Sequence, residues 1–292
     1  LEFRRVLFRS LTTASLNILK TVRYLCHMFS GKVIWITGAS SGIGEELAKQ
    51  LAQQKAKLIL SARRINELER VQQVCLQYTE HVAILPIDLL ENVQLPIAAE
   101  KAIAIFGRID MLINNGGISQ RSSVLETTPE VEQRIMQTNY FSSITLTKAV
   151  LPQMEKNGFG NIILMSSITG KIGVPNRSTY CASKHAIIGY FDALRAELKM
   201  RNSPVNINII MPGYIHTNIS IHAVTGDGKE QGLMDKGQAN GMSVEVCAKK
   251  IITAIRKNKK EVLIGRKEIL MAYFRRFIPS LYYNLITKVA TK

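Results

Sequence analysis

Tyr180 and Lys184 stand four residues apart in the run S-T-Y-C-A-S-K-H-A-I, Ser178 to Ile187. Positions i and i+4 of an α-helix share one face, so a helix here would aim the phenol and the ammonium into a single site. A free phenol titrates near ~10, too weak an acid to exchange protons readily at neutral pH. An ammonium beside it favours the phenolate and brings the pKa toward the working range. Tyr180 is thereby a candidate general acid/base. A lone Tyr-x-x-x-Lys is more often an ordinary surface pair, but this one has company. Ser167 lies thirteen residues before the tyrosine, and a glycine-rich loop lies further upstream.

The elements that must position these groups read as alternating strands and helices. K-V-I-W-I-T, from Lys32, is an apolar β-branched run; G-A-S-S-G-I-G follows, then the helical pattern E-E-L-A-K-Q-L-A. Gly38, Gly42 and Gly44 allow a tight turn and close backbone approach, with Ser40, Ser41 and Ile43 completing a loop that opens a helix N-terminus toward a pyrophosphate. The second strand, L-I-L-S-A, leads to Arg63 and Arg64. NAD-binding proteins place an acid here for the ribose 2′-hydroxyl, whereas arginine accommodates a 2′-phosphate. Ala62 stands where the acid would be, which predicts NADP(H); the alternative for Arg64 is the solvated face of the next helix. The third strand, V-A-I-L-P-I-D-L, ends at Asp88 and Leu89, and Asp88 either reaches the adenine or caps the following helix. The fourth, I-D-M-L-I, runs into Asn114, Asn115, Gly116 and Gly117, where doubly wound sheets bind ligands. Thr128 and Pro129 open a long helix that carries Asn139 and runs toward Met154. I-I-L-M then delivers Ser166 and Ser167, the helix of Tyr180 continues to about Met200, and V-N-I-N-I-I-M leads to Pro212 and Gly213. The order predicts a single α/β domain, a Rossmann-type doubly wound parallel sheet in a three-layer α/β/α sandwich.

Composition narrows the function classes. The 292 residues suffice for one larger α/β domain, and no run of eighteen apolar residues reads as a spanning helix. The net charge of +16 is uneven: residues 1–27 hold five basic side chains against one acidic, and Arg256 to Lys292 hold ten against two. A nucleic-acid binder would show a basic recognition element with aromatic or polar readers, and the chain has none. Cys26, Cys75, Cys181 and Cys247 form no C-x-x-C and read as reduced cysteines of a cytoplasmic or cytosolic-facing protein. The five histidines form no H-E-x-x-H, so no metal site is expected. Residues 1–27 read as a poorly defined leader: either a non-native remnant, with Met28 as the natural start, or a membrane-proximal helix over Leu11 to Met28. The main domain is expected over 28–265. Within it, 214–240 is rich in Gly, His, Asn and Asp, as in lids that close over substrates. Its Ile219, Ile221, Val224, Leu233 and Met234 suggest an apolar substrate, and His216 and His222 read as loop residues. The basic aromatic extension 266–292 is either an amphipathic surface for anionic lipid, giving peripheral membrane contact, or a helix packed on the domain or a subunit interface.

T-G-A-S-S-G-I-G at 37–44, N-N-G-G at 114–117, Asn139, Ser167, Y-C-A-S-K at 180–184 and P-G-Y-I-H-T at 212–217 together resemble the classical short-chain dehydrogenase/reductases over roughly Lys32 to Gly265. S-A-R-R-I-N-E-L-E-R-V, G-I-S-Q-R-S, P-G-Y-I-H-T-N-I-S and G-L-M-D resemble the SDR family member 7 group, its 7B-like branch and bacterial relatives. One departure is Gly116, where the family usually has alanine, and the N-terminal membrane anchor of the group's animal members is not expected here. The resemblance implies that Tyr180 passes a proton to or from the substrate oxygen while a nicotinamide exchanges hydride. Lys184 would lower the Tyr180 pKa and bind the nicotinamide ribose. Ser167 would donate a hydrogen bond to the substrate oxygen, and Asn139 would hold a water in the proton relay. Ile215 and Thr217 would fix the carboxamide end, with Pro212 and Gly213 beside them. The expected cofactor is NADP(H) and the expected partner a small apolar carbonyl or alcohol, with no nucleic acid and a homodimeric or homotetrameric assembly. The alternative is a non-catalytic NADP(H)-binding sensor or scaffold.

Overall fold

The computed structural model describes residues 28–289; the leader read over 1–27, Cys26 included, and residues 290–292 lie outside the described residues. Seven parallel strands form one sheet in the order β3-β2-β1-β4-β5-β6-β7. They are β1 (Val33–Thr37), β2 (Lys57–Ser61), β3 (Val82–Ile84), β4 (Met111–Asn114), β5 (Gly160–Met165), β6 (Val205–Pro212) and β7 (Glu261–Ile264). The strand order reverses between β1 and β4, and a doubly wound sheet opens its ligand crevice at that switch point.

Helices cover both faces, which is why the strands are continuous apolar runs rather than alternating ones. Side chains on a strand alternate sides, so Ile34 and Ile36 of β1 join one core while Val33 and Trp35 join the other. The first core is closed by α1 (Gly42–Ala52), α2 (Ile65–Leu76) and α8 (Val244–Arg256). The second is closed by α3 (Leu95–Phe106), α5 (Ser142–Lys156) and α6 (Ser178–Met200). The buried indole of Trp35 donates its Nε1–H to Ser61 Oγ at 2.8 Å, satisfying the one polar atom it carries inward.

The fold departs from the sequence reading in several places. The helix expected from Thr128 to Met154 is α4 (Pro129–Met136), a π-helical turn over Gln137–Phe141, and then α5. Thr128 does cap it, accepting from Val131 N. β3 stops at Ile84, although Leu85 N and Ile87 N still bond to Leu60 O and Ala62 O and hold the chain to β2 as far as Ile87. β7 was not expected, because V-L-I between two basic stretches is too short to show a period. Past the short α7 (Lys236–Ala239) and α8, the C-terminal extension forms α9 (Leu270–Phe277) and α10 (Pro279–Val289). Its inner side packs on the domain, as one of the two readings expects. Tyr282 and Ile286 are buried against Ile168 and Ile172, and Tyr282 Oη donates to Gly173 O at 2.6 Å.

Candidate active site

The loops after β1, β2, β3 and β4 meet at the switch point around a cleft of about 320 Å³. Gly38, Ser40, Ser41, Gly42, Ile43, Arg63, Arg64, Asp88, Leu89, Asn115, Gly116, Gly117 and Thr217 all line it. Gly44 lies beneath: a Cβ there would sit 2.2 Å from Gly38 O, so only glycine lets the first turn of α1 pack onto the loop. Ser41 is the N-cap of α1 but makes no side-chain cap bond, so the helix start keeps amide donors for an anion. Thr37, overlooked in the sequence, fixes this corner: its Oγ1 accepts from Asn115 N and Gly116 N, both at 3.0 Å. Asn115 Nδ2 donates back to Thr37 O at 3.0 Å and Gly38 O at 3.1 Å. Arg63 and Arg64 are exposed on the cleft, and Arg64 Nη2 donates to Ser40 Oγ at 3.4 Å. Asp88 does not cap α3, which starts seven residues later; its Oδ1 accepts from Leu90 N at 3.0 Å and caps a local turn. A Cβ at 116 would meet Leu89 Cδ1 at 2.5 Å, the far end of a side chain that can swing aside, so this position does not demand glycine. Uncapped helix amides, close glycines and two cleft-facing guanidiniums fit an anionic dinucleotide.

A second cavity, about 370 Å³, adjoins the first and shares Ile43, Asn115, Gly117, Thr217 and Ile219 with it. Ser167, Tyr180 and Lys184 line it together, with Pro212, Gly213 and Ile215. The turn-spaced pair on α6 does converge: Lys184 Nζ lies 5.8 Å from the Tyr180 ring centroid. The electrostatics differ from expectation. Lys184 is buried, its Nζ donates to Met165 O at 3.0 Å, and burial lowers its pKa to about 8. Burial pushes the Tyr180 phenol above its ordinary range, opposed by a hydrogen bond with Ser167 and by the charges of Arg177 and Arg121. Ser167 and the two arginines are the groups that oppose the rise at Tyr180. Ser167 Oγ also accepts from Thr169 N at 3.2 Å, so it caps the turn after β5 as well.

Asn139 stands behind the cavity rather than on its wall. Its Oδ1 accepts from Ile118 N at 2.8 Å, and its Nδ2 donates to Ile118 O at 2.9 Å and Ser183 Oγ at 3.1 Å. The π turn that carries it is the kind of helix irregularity that accumulates at functional sites. Thr217 caps no helix; its Oγ1 donates to Ile215 O at 3.4 Å.

Three further groups escaped sequence reasoning. Gln120, fully buried, accepts from Tyr180 N at 3.1 Å and donates to Thr127 Oγ1 at 3.0 Å, tying the start of α6 to the segment after β4. Asp235 gathers two guanidiniums on the cavity wall: Arg121 Nε donates to its Oδ2 at 2.9 Å and Arg177 Nη2 at 2.8 Å. No spacing rule links 121, 177 and 235, so only the fold reveals this cluster. The third group is the far wall, which includes Met271 and Ile286 of the C-terminal helices. Of the five loop residues taken as signs of an apolar substrate, only Ile219 lines the cavity. Val224 packs on Val131 and Ile135, and Leu233 is 70% exposed. The apolar lining comes instead from Met165, Ile168, Ile172 and Val174 with Met271 and Ile286. His222 pairs with Glu230 at 3.0 Å on the surface, and among the described residues no cluster could hold a metal ion. Nor is any described helix long and apolar enough to cross a membrane.

A parallel sheet with a glycine-rich cleft at its switch point defines a Rossmann-type nucleotide-binding protein. The chain belongs to the short-chain dehydrogenase/reductase family: residues 32–227 match the family model described as short chain dehydrogenase. Its relatives place it in the SDR family member 7-like group. A Drosophila melanogaster protein named dehydrogenase/reductase SDR family protein 7-like is 41% identical over 267 residues, covering 90% of this chain and 81% of that one. Among solved structures, a Burkholderia phymatum short chain dehydrogenase/reductase in complex with NAD superposes with a TM-score of 0.78 at 21% identity, covering 87% of this chain and 95% of that one. A Sphingobium yanoikuyae short-chain dehydrogenase in complex with NADPH gives 0.68 at 25% identity, covering 80% and 87%. The family makes the chain an oxidoreductase of nicotinamide cofactors.

Proposed function

We propose that the chain is an NADP(H)-dependent oxidoreductase that interconverts a carbonyl and a secondary alcohol on an apolar substrate, with Tyr180 as general acid/base. The observation that carries this reading is the convergence of Ser167, Tyr180 and Lys184 on one largely apolar cavity that opens into the glycine-rich cleft. The nicotinamide cofactor, when bound, supplies or accepts the hydride. Tyr180, kept protonated at neutral pH by its burial, hands its Oη proton to the substrate oxygen in reduction and takes it back in oxidation. Ser167 donates a hydrogen bond where negative charge grows on that oxygen. Lys184, with a pKa near the working range, is placed to refill Tyr180 and to hold the cofactor ribose. Asn139 fixes the segment at Ile118 and, through Ser183, the helix that carries both groups. Arg63 and Arg64 support NADP(H) over NAD(H), because two exposed guanidiniums meet a 2′-phosphate and no acid stands at Ala62 for a free 2′-hydroxyl. We place the protein on the cytosolic side as a homodimer or homotetramer, with peripheral membrane contact through its C-terminal segment.

The test is NADPH oxidation against a panel of apolar ketones and aldehydes, with NADH as the cofactor control. Tyr180→Phe is expected to lose about 10²- to 10⁴-fold in turnover while cofactor affinity stays. Arg63→Ala is expected to weaken NADPH about tenfold or more and leave NADH unchanged. Tight NADPH binding without turnover on any substrate would favour the sensor or scaffold reading.

A further inference from the structure

The two C-terminal helices have unlike sides. Inward, Tyr282 and Ile286 are buried against Ile168 and Ile172, and Met271 and Ile286 line the cavity that holds Tyr180. Outward, the connection between α9 and α10 is a continuous exposed run, Arg275 to Leu281. Within it Phe277 is 74% exposed, Ile278 51% and Leu281 39%, and Arg275 and Arg276 stand immediately before them. Tyr273 and Leu270, one and two turns back on the face of Phe277, are exposed as well. Apolar side chains beside cations suit a surface that is apolar inside and anionic outside, whereas neither water nor an acidic protein alone would satisfy both. Over residues 266–289 five basic residues oppose one acidic residue, the sign an anionic headgroup layer requires.

From these faces we infer that the α9–α10 hairpin docks on an anionic lipid bilayer, its tip seated at the headgroup boundary. Resting on the catalytic reading above, the same contact sets the cavity wall formed by Met271 and Ile286 against the bilayer, so that lipophilic substrates reach Tyr180 without crossing bulk water. Phe277 and Ile278 supply apolar insertion, and Arg276 supplies attraction to the headgroups.

Flotation of the full chain on phosphatidylcholine vesicles, with and without phosphatidylserine, tests this. Wild type is expected to float with the phosphatidylserine vesicles and to be released by salt. Phe277→Ser/Ile278→Ser and Arg276→Glu are each expected to lower the bound fraction about tenfold or more. Both variants should keep wild-type thermal stability and turnover of a water-soluble ketone in vesicle-free buffer. Equal recovery of variant and wild type, or no flotation of wild type, overturns the docking. A fall in oligomer mass in Phe277→Ser/Ile278→Ser overturns it too, by showing that the tip is a contact between copies. Because turnover of the soluble ketone is read separately, an inactive wild type would count against the catalytic reading alone.

Discussion

Lys184 carries a charge into an environment that disfavours it, and its titration is readable in stability. An unfolded lysine titrates near 10.5, whereas burial brings the folded one to about 8. Between those values the unfolded chain holds more protons, so stability should rise with pH over that window, by on the order of 3 kcal/mol in total. Below about 8 both states are protonated and the full cost of the buried ammonium is present. Lys184→Met should therefore be more stable than wild type at pH 7, with the gap closing toward pH 10, as measured by chemical denaturation. Asp235 has the opposite task, holding two guanidiniums beside the cavity. Asp235→Asn leaves Arg121 and Arg177 facing each other without their shared anion and should cost about 1–3 kcal/mol, less than a fully buried pair because all three side chains keep some solvent. It also leaves the charges of Arg121 and Arg177, which act on Tyr180, without their shared anion, so the phenol's pKa should fall. A pH–rate profile checks this, with the alkaline limb moving to lower pH in the variant.

At the scale of elements, the π turn Gln137–Phe141 is where a regular helix is broken to deliver one side chain. Asn139 makes hydrogen bonds to both backbone groups of Ile118, and neither partner would find a replacement if it were truncated. Asn139→Leu should cost about 2 kcal/mol or more and lower turnover, because the segment at Ile118 and, through Ser183, α6 lose their tie, measurable by denaturation beside NADPH consumption. Q-T-N-Y-F does not announce the irregularity: most of its residues are only modest helix formers, and the turn follows from the tertiary bonds of Asn139. The glycine-rich loop, the ends of β4 and β5, and α6 were legible because their chemistry is local: glycines at fixed spacing, a strand before and a helix after. β7 and the Arg121–Arg177–Asp235 cluster were not. The strand is stabilised by β6 rather than by its own pattern, and the cluster joins residues more than fifty positions apart. Asp88 shows a middle case, in which the residue was legible and its hydrogen-bond partner was not.

Over the whole molecule, the chain divides its labour by sequence position. Residues 37–138 supply most of the cofactor cleft, and residues 165–286 supply most of the cavity beside it. The far wall, Met271 and Ile286, lies beyond residues 32–227, where the family pattern is matched. Enlarging Met271 to Trp should raise KM for bulky ketones about tenfold while leaving a small soluble ketone unaffected, a split that steady-state kinetics reads directly. This part of the wall can therefore change without touching any residue proposed for catalysis or cofactor binding. Exchanging that wall alone would retune which molecules enter, with the glycine-rich loop left as it is.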